Sequence, residues 1–197
     1  GIDLGLTSLL VTSSGEKIEN PKYFKQGQNL LAARQKGQSA KCRGSRNRAK
    51  ARLLVQKEYE HISNQRSDYF WKLSRKLVKE NDLIAHEDLD VRGLINKDDN
   101  ARAKSITDAS WGKFIHCLSC KAEEAGATVV GVDPRGTSQV CSRCGSTVKK
   151  TLYARTHDCE ACGLVLDRDH NAALNILRLG LSHVFGKNQR QESEISY

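Results

Sequence analysis

Two cysteine pairs limit what this chain can fold into more than any other feature. Cys141-x-x-Cys144 and Cys159-x-x-Cys162 are separated by fourteen residues, and a glycine follows each pair (Gly145, Gly163). Four thiolates at this spacing meet around one tetrahedral Zn²⁺, with the glycines supplying the tight turns. The intervening "GSTVKKTLYARTHD" is too polar to fold by burial alone, so the metal has to stabilise it. Four sulfurs also complete the coordination and leave no position for a reactive water. The spacing therefore predicts a structural zinc ribbon over residues 138–166 that holds one zinc. Four unrelated thiols, or two redox pairs, would leave the matched spacing unexplained. Cys117-x-x-Cys120 repeats the pattern only on paper. At helical spacing Cys120 falls opposite Trp111 while Cys117 flanks the apolar stripe, and only Cys42 remains to join them. Cys42, Cys117 and Cys120 accordingly read as free thiols.

The rest of the chain alternates strand-like and helix-like stretches. "GIDLGLTSLLVTSSGEKIENPKYF" reads as a short β-meander broken at Gly5 and at Ser14-Gly15. From Val55, apolar residues recur at Tyr59, Ile62, Tyr69, Leu73 and Leu77, the period of a long amphipathic helix with a basic lead-in. "NDLIAHEDLDV" (81–91) is a strand ending in acids, and 92–106 reads as a charged loop. "TDASWGKFIHCLSCKAEEAGA" is a helix capped by Thr107, with Trp111, Phe114, Ile115, Leu118, Ala122 and Ala125 on its apolar stripe. "ATVVGVDP" is a buried strand closed by Pro134, and a last helix covers 169–180. This order predicts an α/β layer fold, helices against a mixed sheet. The expected units are a core over 1–137 containing a basic helical segment at 21–80, the ribbon at 138–166, a final helix within 167–185 and a flexible tail at 186–197.

Charge narrows the partner. The formal net charge is +9, and residues 21–57 hold eleven Lys/Arg without one acid. Such a surplus favours a polyanion, and the candidate contacts are Arg43, Arg46, Arg48, Lys50 and Arg52. No apolar run reaches the ~18–20 residues of a spanning helix, so no membrane role is expected. With no signal segment, the expected setting is cytoplasmic, where cysteines serve metal or stay reduced. The chain opens on "GIDLG" and contains no methionine, which suggests a piece of a longer protein.

Zinc satisfied by sulfur leaves the acids to be explained. Asp3 lies in the first strand with Ile2 and Leu4 facing the other way, Glu87 ends "LIAHEDL", and Asp167 and Asp169 lead into the last helix. Singly, these are a strand edge, a salt-bridge partner and an N-cap. Together they suit Mg²⁺ or Mn²⁺, and two such ions about 4 Å apart hydrolyse phosphodiesters. Helix phase separates Asp169 from Asp167. Ala172, Ala173, Ile176, Leu177 and Gly180 share the face of Asp169, which should press on the sheet carrying Asp3 and Glu87. Asp167 precedes the helix and should bond local backbone or Arg168.

"GIDLG", "IAHEDL", "TSQVCSRCG" and "CGLVLDRDHNAALNI", in this order, resemble the RuvC-like nuclease half of TnpB, a family of transposon-encoded RNA-guided DNA endonucleases related to type V CRISPR effectors. The resemblance covers residues 1–182. It implies a ribonuclease H-like fold with a zinc ribbon inserted before the last helix, and a catalytic, metal-binding trio of Asp3, Glu87 and Asp169. It also implies a DNA substrate, a guide RNA in the full-length protein, and a missing N-terminal half that grips the guide. The basic segment then fits contacts to nucleic-acid backbone, which carry no sequence information. Two alternatives remain at this stage: a strand-transfer transposase with the same trio, and a non-catalytic zinc-ribbon module that only binds nucleic acid.

Overall fold

In the computed structural model the backbone is described for residues 1–97, 100–151 and 154–194, with side chains for all of these except 96, 97 and 187–194. A five-stranded sheet organises it. β1 (Ile2–Leu4), β2 (Ser8–Thr12), β3 (Lys17–Glu19), β4 (Leu83–Glu87) and β5 (Thr128–Val132) lie in the order β3-β2-β1-β4-β5. β1 runs antiparallel to β2 (Asp3 opposite Val11) and parallel to β4 (Ile2 opposite His86), and β4 runs parallel to β5. A β-meander leading into parallel crossovers is the ribonuclease H-like arrangement expected above.

Alternation along the strands sorts the sheet's two faces. Ile2, Leu4 and Ile84 belong to the main core, which they share with Phe70, Leu73, Leu77, Phe114 and Leu118. Asp3, Ala85 and Glu87 therefore point the other way, toward a second cluster of Ala85, Val132 and Ile176. The register that sets Ile2 beside His86 also brings Asp3 and Glu87 to adjacent positions on neighbouring strands. β5 is less buried than its sequence suggests, with only Val132 fully covered.

The helices supply the two covering layers. α1 (Tyr23–Ser39) and α2 (Arg46–Glu80) form a hairpin, so the basic lead-in is itself helical as far as Ser39. Ser45 caps α2, its hydroxyl accepting from Arg48 N at 3.1 Å. On α2, Val55, Ile62, Leu73 and Leu77 are buried as expected, but Tyr59 is exposed and Phe70 takes a core place. The loop expected over 92–106 is corrected. It contains α3 (Val91–Lys97) and α4 (Asn100–Ala109), with residues 98 and 99 outside the described set. Leu94, Ile95 and Ile106 pack on the main core there, and the charged residues between them hide the period from a sequence reading.

Thr107 is likewise not the cap of α5 (Trp111–Ala125). It sits inside α4, donating to the Ala103 carbonyl, and Ser110 in a left-handed conformation (φ 49°) makes the break. Trp111, Phe114, Leu118 and Ala122 form the buried stripe, while Ala125 is exposed. The final helix, α6, runs from Arg168 to Glu194. The tail expected from 186 is thus helical to Glu194, and its last residues lie outside the described set. Among the described residues, no helix is long and apolar enough to cross a membrane.

α6 approaches the sheet closely because its contact face is small. Ala172, Ala173 and Ile176 are buried there, and a Cβ added at Gly180 would lie 2.4 Å from the Cβ of Ala85. Gly180→Ala should gain roughly 1 kcal/mol in helix propensity and lose about 1–3 kcal/mol to overpacking. The expected outcome is net destabilisation, checked by urea unfolding; a more stable variant would mean that the helix stands further from β4.

Candidate active site and metal centre

The cysteine cluster forms first from local geometry. β6 (Thr156–Cys159) and β7 (Leu164–Asp167) pair as a separate two-stranded sheet, and Gly145 and Gly163 take positive φ (79° and 69°) where the knuckles turn. Cys141 Sγ lies 3.6 Å from Cys162 Sγ, and Cys144 Sγ lies 3.6 Å from Cys159 Sγ. All four sulfurs fall within 4.8 Å of one another. Disulfide sulfurs would lie near ~2.05 Å, whereas tetrahedral Zn–S bonds of about 2.3 Å put sulfurs roughly 3.8 Å apart. The cluster therefore fits a metal such as zinc. Hydrogen bonds from Ser146 lower the Cys144 thiol to about 6, while, against a backbone hydrogen bond from Leu164, burial and the neighbouring sulfurs push Cys162 up to about 12, so the four sulfurs do not ionise alike without a cation among them. Cys42, Cys117 and Cys120 lie outside this cluster.

The acids come together as the strand alternation requires. Asp3, Glu87 and Asp169 line one cavity of about 550 Å³ with Thr137, Arg102, Arg155 and Arg168. Asp3 is pushed up to about 8 by burial, then by the neighbouring charges of Glu87 and Asp169. Burial also raises Glu87, against a hydrogen bond from Thr137 Oγ1 to Glu87 Oε1 at 2.5 Å. Asp169 occupies the first turn of α6, where Arg168 Nε donates to its Oδ1 at 3.1 Å and Arg155 Nη1 lies 3.8 Å from its Oδ2. The carboxylates do not form a group within the 4.8 Å span of the thiols. A pair of divalent ions about 4 Å apart would span such a wider set. Oxygen donors suit a hard cation, and Asp3 among them is desolvated and has no hydrogen-bond partner among the described residues.

Asp167 does what its position before the helix implies. Its Oδ1 accepts from the backbone N–H groups of Asp169 (2.9 Å) and His170 (3.2 Å), and Lys17 Nζ pairs with its Oδ2 at 2.6 Å. These contacts hold it below the ordinary carboxylate range despite partial burial. His170 turns away to the Ser13 carbonyl, and His86 Nδ1 lies 2.9 Å from the carbonyl of Glu87. Arg43, Arg46, Lys50 and Arg52 are exposed at the hairpin tip and on α2, Arg48 is half-buried, and none of the five lines the cavity.

Sequence reasoning missed Thr137, Arg155, Asn171 and Asn175, and it offered Arg168 to Asp167, whereas Arg168 bonds Asp169. Thr137 stands inside the quoted "TSQVCSRCG", and the two asparagines are polar residues one turn apart beside an apolar helix face. The first could have been found from its place at the ribbon's entry and the second pair from that misfit.

Comparisons with known proteins agree with this geometry. A family model described as "Cas12f1-like, TNB domain" matches residues 111–176, and one described as "Probable transposase" matches residues 1–98. A Streptomyces pristinaespiralis protein named "Putative RNA-guided DNA endonuclease" is 42% identical over 184 residues, covering 92% of this chain and 45% of that protein. The TnpB-like protein L79 of Acanthamoeba polyphaga mimivirus is 30% identical over 141 residues, 70% of this chain and 27% of its own length. The fold is similar to that in a cryo-EM structure of a Cas12f1-sgRNA-target DNA complex, with a TM-score of 0.62 at 21% identity over 89% of this chain and 48% of that one. The chain spans at most about half the length of these proteins.

The raised pKa of Asp3 has a sign that can be measured. Between its ordinary value of 3.8 and about 8, the folded chain keeps a proton that the unfolded chain has lost. With Mg²⁺ and Mn²⁺ withheld and the cysteine cluster loaded, stability should therefore fall as pH rises from 4 to 8 and then level off. The slope from this group is at most about 1.4 kcal/mol per pH unit. Asp3→Asn should remove most of it in denaturant midpoints read at pH 5 and 8, and an unchanged slope would place the strain elsewhere.

Proposed function

Because this chain belongs to the TnpB family of transposon-encoded proteins, we propose that it is the nuclease segment of an RNA-guided DNA endonuclease. In this reading it cleaves phosphodiester bonds at Asp3, Glu87 and Asp169 with two Mg²⁺ or Mn²⁺ ions, while Cys141, Cys144, Cys159 and Cys162 hold one structural zinc. The observation that carries it is the convergence of three acids from three separate elements on one cavity, with Asp3 pushed up to about 8. Divalent ions held there would neutralise the acids and supply an activated water and a stabilised leaving oxygen.

The chain's own residues do the rest. Thr137 donates to the Glu87 carboxylate at the cavity wall, and Arg155 and Arg168 hold Asp169. Arg102, Arg155 and Arg168 also place positive charge on the cavity wall, where a phosphodiester backbone would lie. Guide RNA and target DNA are partners of the longer protein in this reading, and the basic hairpin is a backbone-contacting surface of it. The family model described as a transposase favours strand transfer as a second reading, since the same trio would serve it. Joined products in a cleavage assay separate the two.

Two outcomes test the site and the surface. Asp169→Asn should abolish Mn²⁺-dependent cleavage of labelled single-stranded DNA, while Asp167→Asn, still able to cap α6, should keep much of it. Equal loss in both would refute the assignment of Asp169. DNA binding should weaken steeply with salt, and Ala at Arg46, Arg48 and Arg52 together should flatten the log–log salt slope by up to about three units. A slope that does not move would make the hairpin a solvated face only.

A further inference from the structure

The neck of the ribbon, residues 137–142, is bonded at both ends to the elements that carry the acids. Thr137 is buried, with 4% exposure. Its hydroxyl lies 2.5 Å from Glu87 Oε1 and 3.1 Å from the Pro134 carbonyl. A hydroxyl has one proton to give, and the shorter contact to a charged acceptor takes it. The Thr137 carbonyl accepts from Asn175 Nδ2 at 2.8 Å, and the same amide group donates to the Val140 carbonyl at 2.7 Å. Val140 O also accepts from Asn171 Nδ2 at 2.8 Å, while Asn171 Oδ1 accepts from Ser142 N at 3.0 Å.

Cys141 lies between these last two neck residues, so the knuckle that would grip zinc is clamped directly to α6. The clamp is costly to build. Asn171 and Asn175 are fully buried, and Asn175 Oδ1 has no partner among the described residues. Packing alone would be better served by apolar residues at both positions. What the asparagines add is a fixed seat for the neck on the helix that begins at Asp169.

We propose that Thr137 is a positioning residue that fixes the Glu87 carboxylate relative to Asp169, and that the metal-loaded cysteine cluster keeps Thr137 in place through the Asn171–Asn175 clamp. The catalytic consequence rests on the nuclease reading; the brace itself rests on the contacts. Glu87 ends its strand and carries a flexible side chain beside two further carboxyl groups. Without the Thr137 hydroxyl its carboxylate loses the one side-chain hydrogen bond it has among the described residues.

The test uses the whole 197-residue chain. Titration with Mn²⁺ alone, read by calorimetry, should show Asp3-dependent binding weakened about 10- to 100-fold in Thr137→Val and near wild type in Thr137→Ser, with zinc content unchanged in both. Hydrogen exchange over residues 83–89 supplies a readout that needs no Mn²⁺. It should quicken in Thr137→Val and in Cys159→Ser, and the double variant should be no faster than the faster single. Wild-type Mn²⁺ affinity in Thr137→Val, or fully additive exchange in the double variant, overturns the proposal. If the parent chain shows no Asp3-dependent Mn²⁺ binding, the nuclease reading falls, and the exchange arm alone decides the brace. Thr137→Ala replaces the valine variant if that one does not fold.

Discussion

Carboxyl groups held together away from water set the terms for the rest of this structure. Among the described residues Asp3 gains no hydrogen bond, and it faces two further carboxyl groups, so its neighbours must hold it there at a cost. β1 does this by being a central strand paired on both edges. Ile2 and Leu4 are committed to the main core. A slip of one residue would put Asp3 into that core and two apolar side chains into the cavity, so the register resists the repulsion. Glu87 and Asp169 are restrained more locally, by one hydroxyl and by two guanidinium groups.

α6 converts these restraints into a single rigid arrangement. Its start is fixed by Asp167, which caps the helix and reaches back to Lys17 on β3. Its inner face of Ala172, Ala173, Ile176 and Gly180 lets it sit close on β4 beneath Glu87. Its flank, through Asn171 and Asn175, seats the ribbon. Helices are stiff over two turns, so the position of Asp169 and the seat of the cysteine cluster cannot vary independently.

The parts of this arrangement that were legible in the sequence are those that repeat or alternate. The cysteine spacing announces its cluster because metal ligation fixes both residue type and separation. Asp3 is legible because Ile2 and Leu4 flank it, and Asp169 because small residues recur on its helix face. α3 and α4 were hidden because their few apolar residues, Leu94, Ile95 and Ile106, are spread through charged sequence and acquire meaning only from the core they meet. The break at Ser110 rests on a left-handed residue that is not glycine, which composition does not signal. Thr137 was missed because a single hydroxyl has no period; only its partner identifies it.

Charge distribution links the two ends of the molecule. The cations of residues 21–57 lie on a hairpin whose inward side is already neutralised. Arg34 pairs there with buried Glu58 at 3.0 Å, and Arg66 on α2 pairs with buried Asp108 at 3.0 Å. The outward cations are therefore left to attract a polyanion, while the cavity sets Asp3, Glu87 and Asp169 beside Arg102, Arg155 and Arg168. On the nuclease reading, a phosphate backbone drawn to the hairpin meets the arginines of the cavity wall, and divalent ions beside Asp3 would offset the carboxylates it also meets. Divalent ions and substrate then favour each other's binding, and the coupling is reciprocal by thermodynamic necessity. On that reading the surplus of nine positive charges gathers a polyanion, and metal held by the acids strengthens its hold at the cavity.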